Sequence, residues 1–217
     1  QIIDLVTTHL ARPGYVACSQ FFVREAKRAL RIPEHRIHLI YNSYDDKKLD
    51  CESDARLKIR RELNIGENAP VFLNLGRIDP QKAQDDIIKA MAEVIRDIPD
   101  AQLLIAGTGL ESRTNELKER IQQLCVQRCV RILGLRRDVG ALLGASDVFV
   151  FPSVFEGFGI ALAEAMAARL PPVVSTAGAF PELVKDGVNG FLVSPKSPTQ
   201  LADRMITLGK DPALRAA

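Results

Sequence analysis

The chain has 217 residues, 47% of them apolar and 26% charged, which permits one large globular domain, or one domain plus a fragment, with a substantial core. Its 29 Lys and Arg nearly balance 27 Asp and Glu, and no basic run interleaves with aromatics, which argues against a nucleic-acid partner. The longest apolar stretches are strand-length, too short to cross a bilayer, and no segment reads as a signal peptide.

Along the chain, "GYVACS" predicts a strand running into an N-cap at Ser19, "FFVREAKRAL" a helix and "RIHLIYN" a second strand. "YDDKKLDCESDARLK" is polar and reads as a connector. From residue 71 the pattern becomes regular. "VFLNLG" is an apolar run ending in glycine, and "DDIIKAMAEVIRDI" repeats Ile87, Ile88, Met91, Val94 and Ile95 at helical spacing. "AQLLIAG" is a second such strand, "ESRTNELKERIQQLCVQ" a mostly exposed helix and "VRILG" a third strand. Asp138 predicts the N-cap of a short helix, "DVFVFP" a fourth strand, and "PVVST" and "GFLVSP" the fifth and sixth. Ser197 followed by Pro198 predicts the N-cap and first position of the last helix.

Strands alternating with helices, and runs apolar on both faces such as "VFVF" and "LLIA", predict a doubly wound α/β domain on a parallel sheet. Residues 1–50 are expected to form a separate piece leading into a domain at 51–217. The chain opens on Gln1 and closes on "KDPALRAA", so both ends are expected to be cut. The four cysteines, Cys18, Cys51, Cys125 and Cys129, lack zinc-ribbon spacing and are expected to be reduced thiols, which suits a cytoplasmic setting.

In an open parallel sheet, ligands bind beyond the carboxyl ends of the strands. The conspicuous residues fall there: Gly76 and Arg77 with Lys82 after the first predicted strand, Gly107 and Gly109 after the second, and "FEGFG" after the fourth. Gly157 and Gly159 let a ligand approach the backbone. They precede a helix whose first amides and positive dipole end attract an anion, for which a diphosphate is the natural guest. Arg77 and Lys82 would supply cations from the opposite side. Glu164, inside the helix, suits the vicinal hydroxyls of a ribose, and Glu156, before the turn, would meet whatever the diphosphate carries. Glu182 in "PELV" is expected to be an acid beside the dipole of its own helix, and Phe155 and Phe158 to pack the turn or frame a sugar pocket.

Together "NLGRIDPQK", "LLIAGTG", "ILGLRRDVGALLGASDVFVFPS", "FEGFGIALAEAMA" and "GAFPELVKDGVNGFLVSP" resemble, in order, the carboxyl-terminal half of the retaining nucleotide-sugar glycosyltransferases of family 4, which have the GT-B fold. The resemblance covers about residues 37–210 and implies a Rossmann-like donor-binding domain. It implies that Arg77 and Lys82 hold the donor diphosphate, that the Gly157–Phe158–Gly159 turn serves the distal phosphate and sugar, and that Glu156 bonds sugar hydroxyls. It implies further that Glu164 binds the ribose, and that Leu135 and Arg136 flank the nucleobase. The family uses no cofactor and generally requires no metal, and this chain has no Asp-x-Asp motif. The leaving phosphate would help deprotonate the acceptor, with Arg77, Lys82 and the helix terminus stabilising the developing charge.

Two departures stand out. Ala83 replaces the glycine that usually follows the lysine, and Asn42-Ser43-Tyr44-Asp45 replaces the usual Asn-Gly-x-Asp linker. The family's amino-terminal domain, which binds the acceptor (a glycan, a lipid or a small molecule), is expected to be represented only by its last elements. Peripheral attachment of a full-length parent to a membrane stays open. A non-catalytic sugar-nucleotide-binding module or a truncated enzyme, and a GT-B sugar-nucleotide epimerase, are alternative readings of the same residues.

Overall fold

A computed structural model describes residues 14–50 and 53–216. The first elements form a β-α-β unit: β1 (Tyr15–Ala17), α1 (Gln20–Leu30) and β2 (Ile37–Leu39), with β1 and β2 paired in parallel as a separate two-stranded sheet. Ser19 caps α1 as its residue type predicts, its Oγ accepting from Phe22 N at 3.2 Å. Helix α2 (Ala55–Glu62) follows, where the sequence suggested only a connector. Its polar composition hides the period, because what it buries is Ala55, Ile59 and the charged Arg60.

The main domain runs β3 (Val71–Leu75), α3 (Gln84–Asp97), β4 (Gln102–Ala106), α4 (Glu111–Gln123), β5 (Val130–Gly134), α5 (Val139–Ala145) and β6 (Val148–Phe151). It continues with α6 (Ile160–Ala167), β7 (Pro172–Ser175), the single-turn α7 (Phe180–Leu183), β8 (Phe191–Val193), α8 (Pro198–Lys210) and α9 (Pro212–Ala216). The sheet is parallel, in the order β5-β4-β3-β6-β7-β8. The chain builds outward from β3 to β5, then returns to start the other half at β6. The switch point therefore lies between β3 and β6, where a crevice opens at the carboxyl edge.

Alternation within each strand splits the core in two. Phe72, Leu103, Ile105, Val148, Val150 and Val173 face a layer made by α3, α4 and α8. Leu73, Leu75, Leu104, Phe149, Phe151 and Val174 face α2, α5, α6 and α7. Helix α3 buries Ile87, Ile88, Met91 and Val94, as its 3.6-residue period demands.

Two predicted caps differ in detail. Asp138 and Ser197 occupy the N-cap positions of α5 and α8, but neither side chain makes the capping bond. Asp138 is instead drawn to the guanidinium of Arg136. At the opposite edge of the sheet Asp147 is a hub: it accepts from Arg56 Nη2, Arg60 Nη2 and Val71 N, all at 2.8 Å. Arg60, only 2% exposed, also donates to the carbonyls of Ala145, Gly66, Glu67 and Ala69. This network pins α2 to the sheet with every buried donor engaged. No described helix is long and apolar enough to cross a membrane.

Candidate active site

The loop after β3 and the loop after β4 lie against each other. Gly107 has φ +146°, and a Cβ there would stand 1.8 Å from Gly76 O. At Gly109 a Cβ would stand 2.1 Å from Ile78 O, where the two loops form a parallel bridge. Both glycines are thus required by the approach of two backbones, whatever else they line. A cavity of about 220 Å³ opens beside them, lined by Leu75, Gly76, Gly107, Leu135, Arg136 and Glu164 among others. Five residues expected to bind the donor nucleotide, Gly76, Gly107, Leu135, Arg136 and Glu164, therefore meet in one hollow at the switch point.

Leu135 is 68% exposed at its rim, and Glu164 is half-buried on α6. Arg136 is held from two sides: Nε and Nη2 donate to Asp138 at 2.8 and 2.6 Å, and Nη1 and Nη2 donate to Glu62 at 2.6 and 3.2 Å. Those bonds, the one to Asp138 first, raise the pKa of Arg136 and hold the Asp138 carboxyl below its usual range. Its guanidinium is committed to carboxylates, so what it brings to the cavity wall is a fixed loop.

Phe151 lies near both this hollow and the second group of expected residues. A Cβ on Gly76 would lie 3.6 Å from its ring, and Lys82 Nζ sits 5.0 Å from its centroid. Lys82 ends a 3-10 turn, Pro80–Lys82, capped by Asp79 Oδ1 accepting from Gln81 N at 2.9 Å. Its ammonium donates to Glu156 Oε2, and both side chains are largely buried, 12% and 15% exposed. The cation expected on the diphosphate and the carboxylate expected on the sugar are thus each other's partners in this structure. Arg77 sits exposed at the start of the same loop, outside both this pair and the cavity lining. Ala83, with φ +53°, takes the left-handed conformation that favours glycine, the residue the resemblance leads one to expect there.

Glu156 begins the turn into α6. Gly159, its N-cap, has φ +90°, and a Cβ there would stand 2.9 Å from Phe180 Cε1. The ladder of α6 starts with Leu162 N and Ala163 N donating to Gly159 O at 3.0 and 3.1 Å, which leaves Ile160 and Ala161 N–H ahead of it. Gly157 lies close under a neighbour: a Cβ there would stand 2.4 Å from Phe22 Cε2, so the ring would have to move. Phe158, 7% exposed with its ring 6.1 Å from that of Tyr41, packs the turn and is not part of the cavity lining.

Two wider hollows, about 410 Å³ beside Met166, Gly190 and Leu214 and about 720 Å³ beside Gly66, Asp97 and Arg128, adjoin the starts of strands. They lie at the wrong edge of the sheet for the ligands of this topology. Among the described residues no His, Cys, Asp and Glu group has the geometry to hold a metal. Cys18, Cys125 and Cys129 are free thiols, and Cys51 lies outside the described residues.

Residues 55–217 match the family model of the glycosyl transferases group 1. The chain belongs to that family. This glycosyl transferase group 1 chain is 32% identical over 203 residues to an uncharacterized glycosyltransferase of Methanocaldococcus jannaschii, covering 88% of this chain and 50% of that protein. It is 29% identical over 198 residues to the N-acetyl-alpha-D-glucosaminyl L-malate synthase of Bacillus anthracis, covering 91% and 50%. The crystal structure of Anabaena HepE in complex with UDP superposes with a TM-score of 0.85 at 30% identity, covering 93% of this chain and 55% of that one. The fold is accordingly that of a GT-B glycosyltransferase half, and the chain spans about half the length of the curated relatives it matches.

One role in this region was not legible in the sequence. Glu182 lies in the first turn of its own helix, as expected, and its carboxylate also takes the first two amides of α1: Gln20 N donates to Oε2 at 2.8 Å and Phe21 N to Oε1 at 2.6 Å. The sequence signal was no more than an acid at a helix start; its partners are 162 and 161 positions away.

Proposed function

We propose that this chain is the donor-binding part of a retaining glycosyltransferase, which moves a sugar from a nucleotide-diphospho-sugar to an acceptor hydroxyl. The observation that supports this most is the cavity at the switch point, where Gly76, Gly107, Leu135, Arg136 and the Glu164 carboxylate converge. Its volume suits a nucleoside, with Glu164 accepting from the ribose hydroxyls. The diphosphate would then run past Phe151 toward Lys82, Arg77 and the first amides of α6, and the sugar would end at Glu156 and the Gly157–Gly159 turn. HepE, a relative in fold and sequence, has been crystallised with UDP.

In this reading the acceptor oxygen attacks the anomeric carbon on the face from which the diphosphate leaves. The bond from the anomeric carbon to the phosphate oxygen breaks, and the acceptor proton passes to a leaving phosphate oxygen. The protein contributes fixed charge where the leaving group gains it: Lys82, Arg77 and the α6 terminus. These groups do the work a metal does elsewhere. The acceptor would be bound by an amino-terminal domain of a longer protein, whose last elements would be residues 1–50.

The test is thermal unfolding with UDP, GDP, ADP or no ligand. A nucleotide that binds only the folded chain raises the midpoint, by about 2.7 kcal/mol of stability at a hundredfold excess over its Kd. One nucleotide raising it supports the site and identifies the base. Glu164→Ala should then abolish most of that rise while melting normally without ligand; an undiminished rise refutes the ribose role.

A further inference from the structure

A helix leaves its first four amides without intrahelical acceptors, so the full account of where they go is informative. In α1, Val23 N opens the intrahelical ladder on Ser19 O at 3.1 Å, and of the three helical amides before it Phe22 N donates to Ser19 Oγ at 3.2 Å. The other two, Gln20 N and Phe21 N, both go to the Glu182 carboxylate. Tyr41 Oη adds a bond to Oε2 at 3.3 Å, Arg24 lies 3.7 Å from Oε1, and the Glu182 side chain is 16% exposed. The carboxylate thus sits where a helix N-terminus would hold any anion.

What α1 brings with it is the roof of the Glu156–Gly159 turn. Phe22 lies directly on Gly157, and Cys18 Sγ is 3.6 Å from Gly157 O. Phe21 and Phe22 meet the Phe155 ring edge-on at centroid distances of 5.6 and 6.0 Å. From below, Ala179 N donates to Glu156 O at 3.1 Å, and a Cβ on Gly178 would stand 2.0 Å from that same oxygen. The turn is clamped between α1 and segment 177–182, and Glu182 ties the two halves of the clamp together.

We propose that Glu182 is a positioning residue which fixes α1 against the Glu156–Gly159 turn, making the amino-terminal segment one wall of the pocket for the donor's sugar. The inference rests on the donor reading above. It makes sugar recognition, but not nucleoside recognition, depend on a residue that touches neither.

The experiment compares the chain with Glu182→Ala and Glu182→Gln. Its probes are whichever of UDP, GDP or ADP raises the melting midpoint, and the glucose derivative of that nucleotide. In Glu182→Ala the Gln20 and Phe21 amides should exchange with solvent at least about tenfold faster, the equivalent of one charge-assisted hydrogen bond of about 1.4 kcal/mol, while β3 and α3 amides keep their rates. Affinity for the nucleoside diphosphate should fall less than that for the sugar nucleotide, because its nucleoside cavity shares no residue with the clamp and only its phosphates reach the α6 terminus beside it. Affinity for the sugar nucleotide should fall at least about threefold, and Glu182→Gln, which keeps a carbonyl oxygen, should recover part of both losses. Sugar-nucleotide affinity that ignores Glu182 while the diphosphate still binds overturns this inference alone. A wild-type chain that binds no nucleotide defeats the donor reading and takes this inference with it.

Discussion

Replacing Lys82 and replacing Glu156 should move nucleoside-diphosphate affinity in opposite directions. The two side chains are partners, 12% and 15% exposed, so a diphosphate that reaches the ammonium competes with the carboxylate for its donors. A hydrogen bond to a charged group is worth about 1.5–3 kcal/mol, so Lys82→Ala should weaken binding of whichever of UDP, GDP or ADP raises the melting midpoint by roughly 10- to 150-fold. Glu156→Gln leaves the ammonium a neutral acceptor that it gives up more easily. A saving of about 1 kcal/mol predicts that nucleotide binding about fivefold tighter. Isothermal titration at one fixed salt concentration measures both, and far-UV melting curves confirm that both variants fold. The same Glu156→Gln variant should discriminate less between that nucleotide and its glucose derivative, because it loses the charged acceptor for sugar hydroxyls. Weaker nucleotide binding in Glu156→Gln, parallel to Lys82→Ala, would refute the competition and with it the placement of the diphosphate on Lys82.

Three further outcomes are expected. Asp147→Asn leaves the buried Arg60 guanidinium without its counter-charge and should cost about 3–5 kcal/mol in urea unfolding, or about 6–20 °C in Tm; a loss under about 1 kcal/mol would show that the network is not what holds α2. Ala83→Gly relieves a left-handed alanine at φ +53° and should stabilise the chain by about 0.5–1 kcal/mol; a destabilised variant would mean that the buried methyl matters more than the backbone. Burial pushes the Cys129 thiol up to about 11, whereas Cys125 is exposed. A maleimide at neutral pH should therefore label Cys125 and reach Cys129 only after unfolding. Since the folded state holds the Cys129 proton more tightly than the unfolded chain, this contribution to stability is intact below about 8.5 and is lost as the pH rises toward 11. Equal labelling of both thiols in the folded chain would contradict that burial.

The order of strands and helices from residue 71 onward could be read before any coordinates, because it is encoded locally. Short continuous runs, apolar on both faces, mark buried parallel strands, period 3.6 marks α3, and glycines end the strands. The position of the candidate site follows from the same reading, since a parallel sheet collects its strand ends at one edge. Helix α2 stayed hidden because its main buried anchor is an arginine, whose fitness for a core depends on Asp147 and four carbonyls that no periodicity reports. Pairings over long separations stayed hidden as well. Lys82 with Glu156, Arg136 with Glu62, and Glu182 with α1 lie 74, 74 and up to 162 positions apart. Each could be seen in the sequence as a charge near a turn. Which charge it meets is set by strand order and by the packing of α1, so only the tertiary structure decides whether a carboxylate stands ready for a ligand, holds a lysine or caps a distant helix.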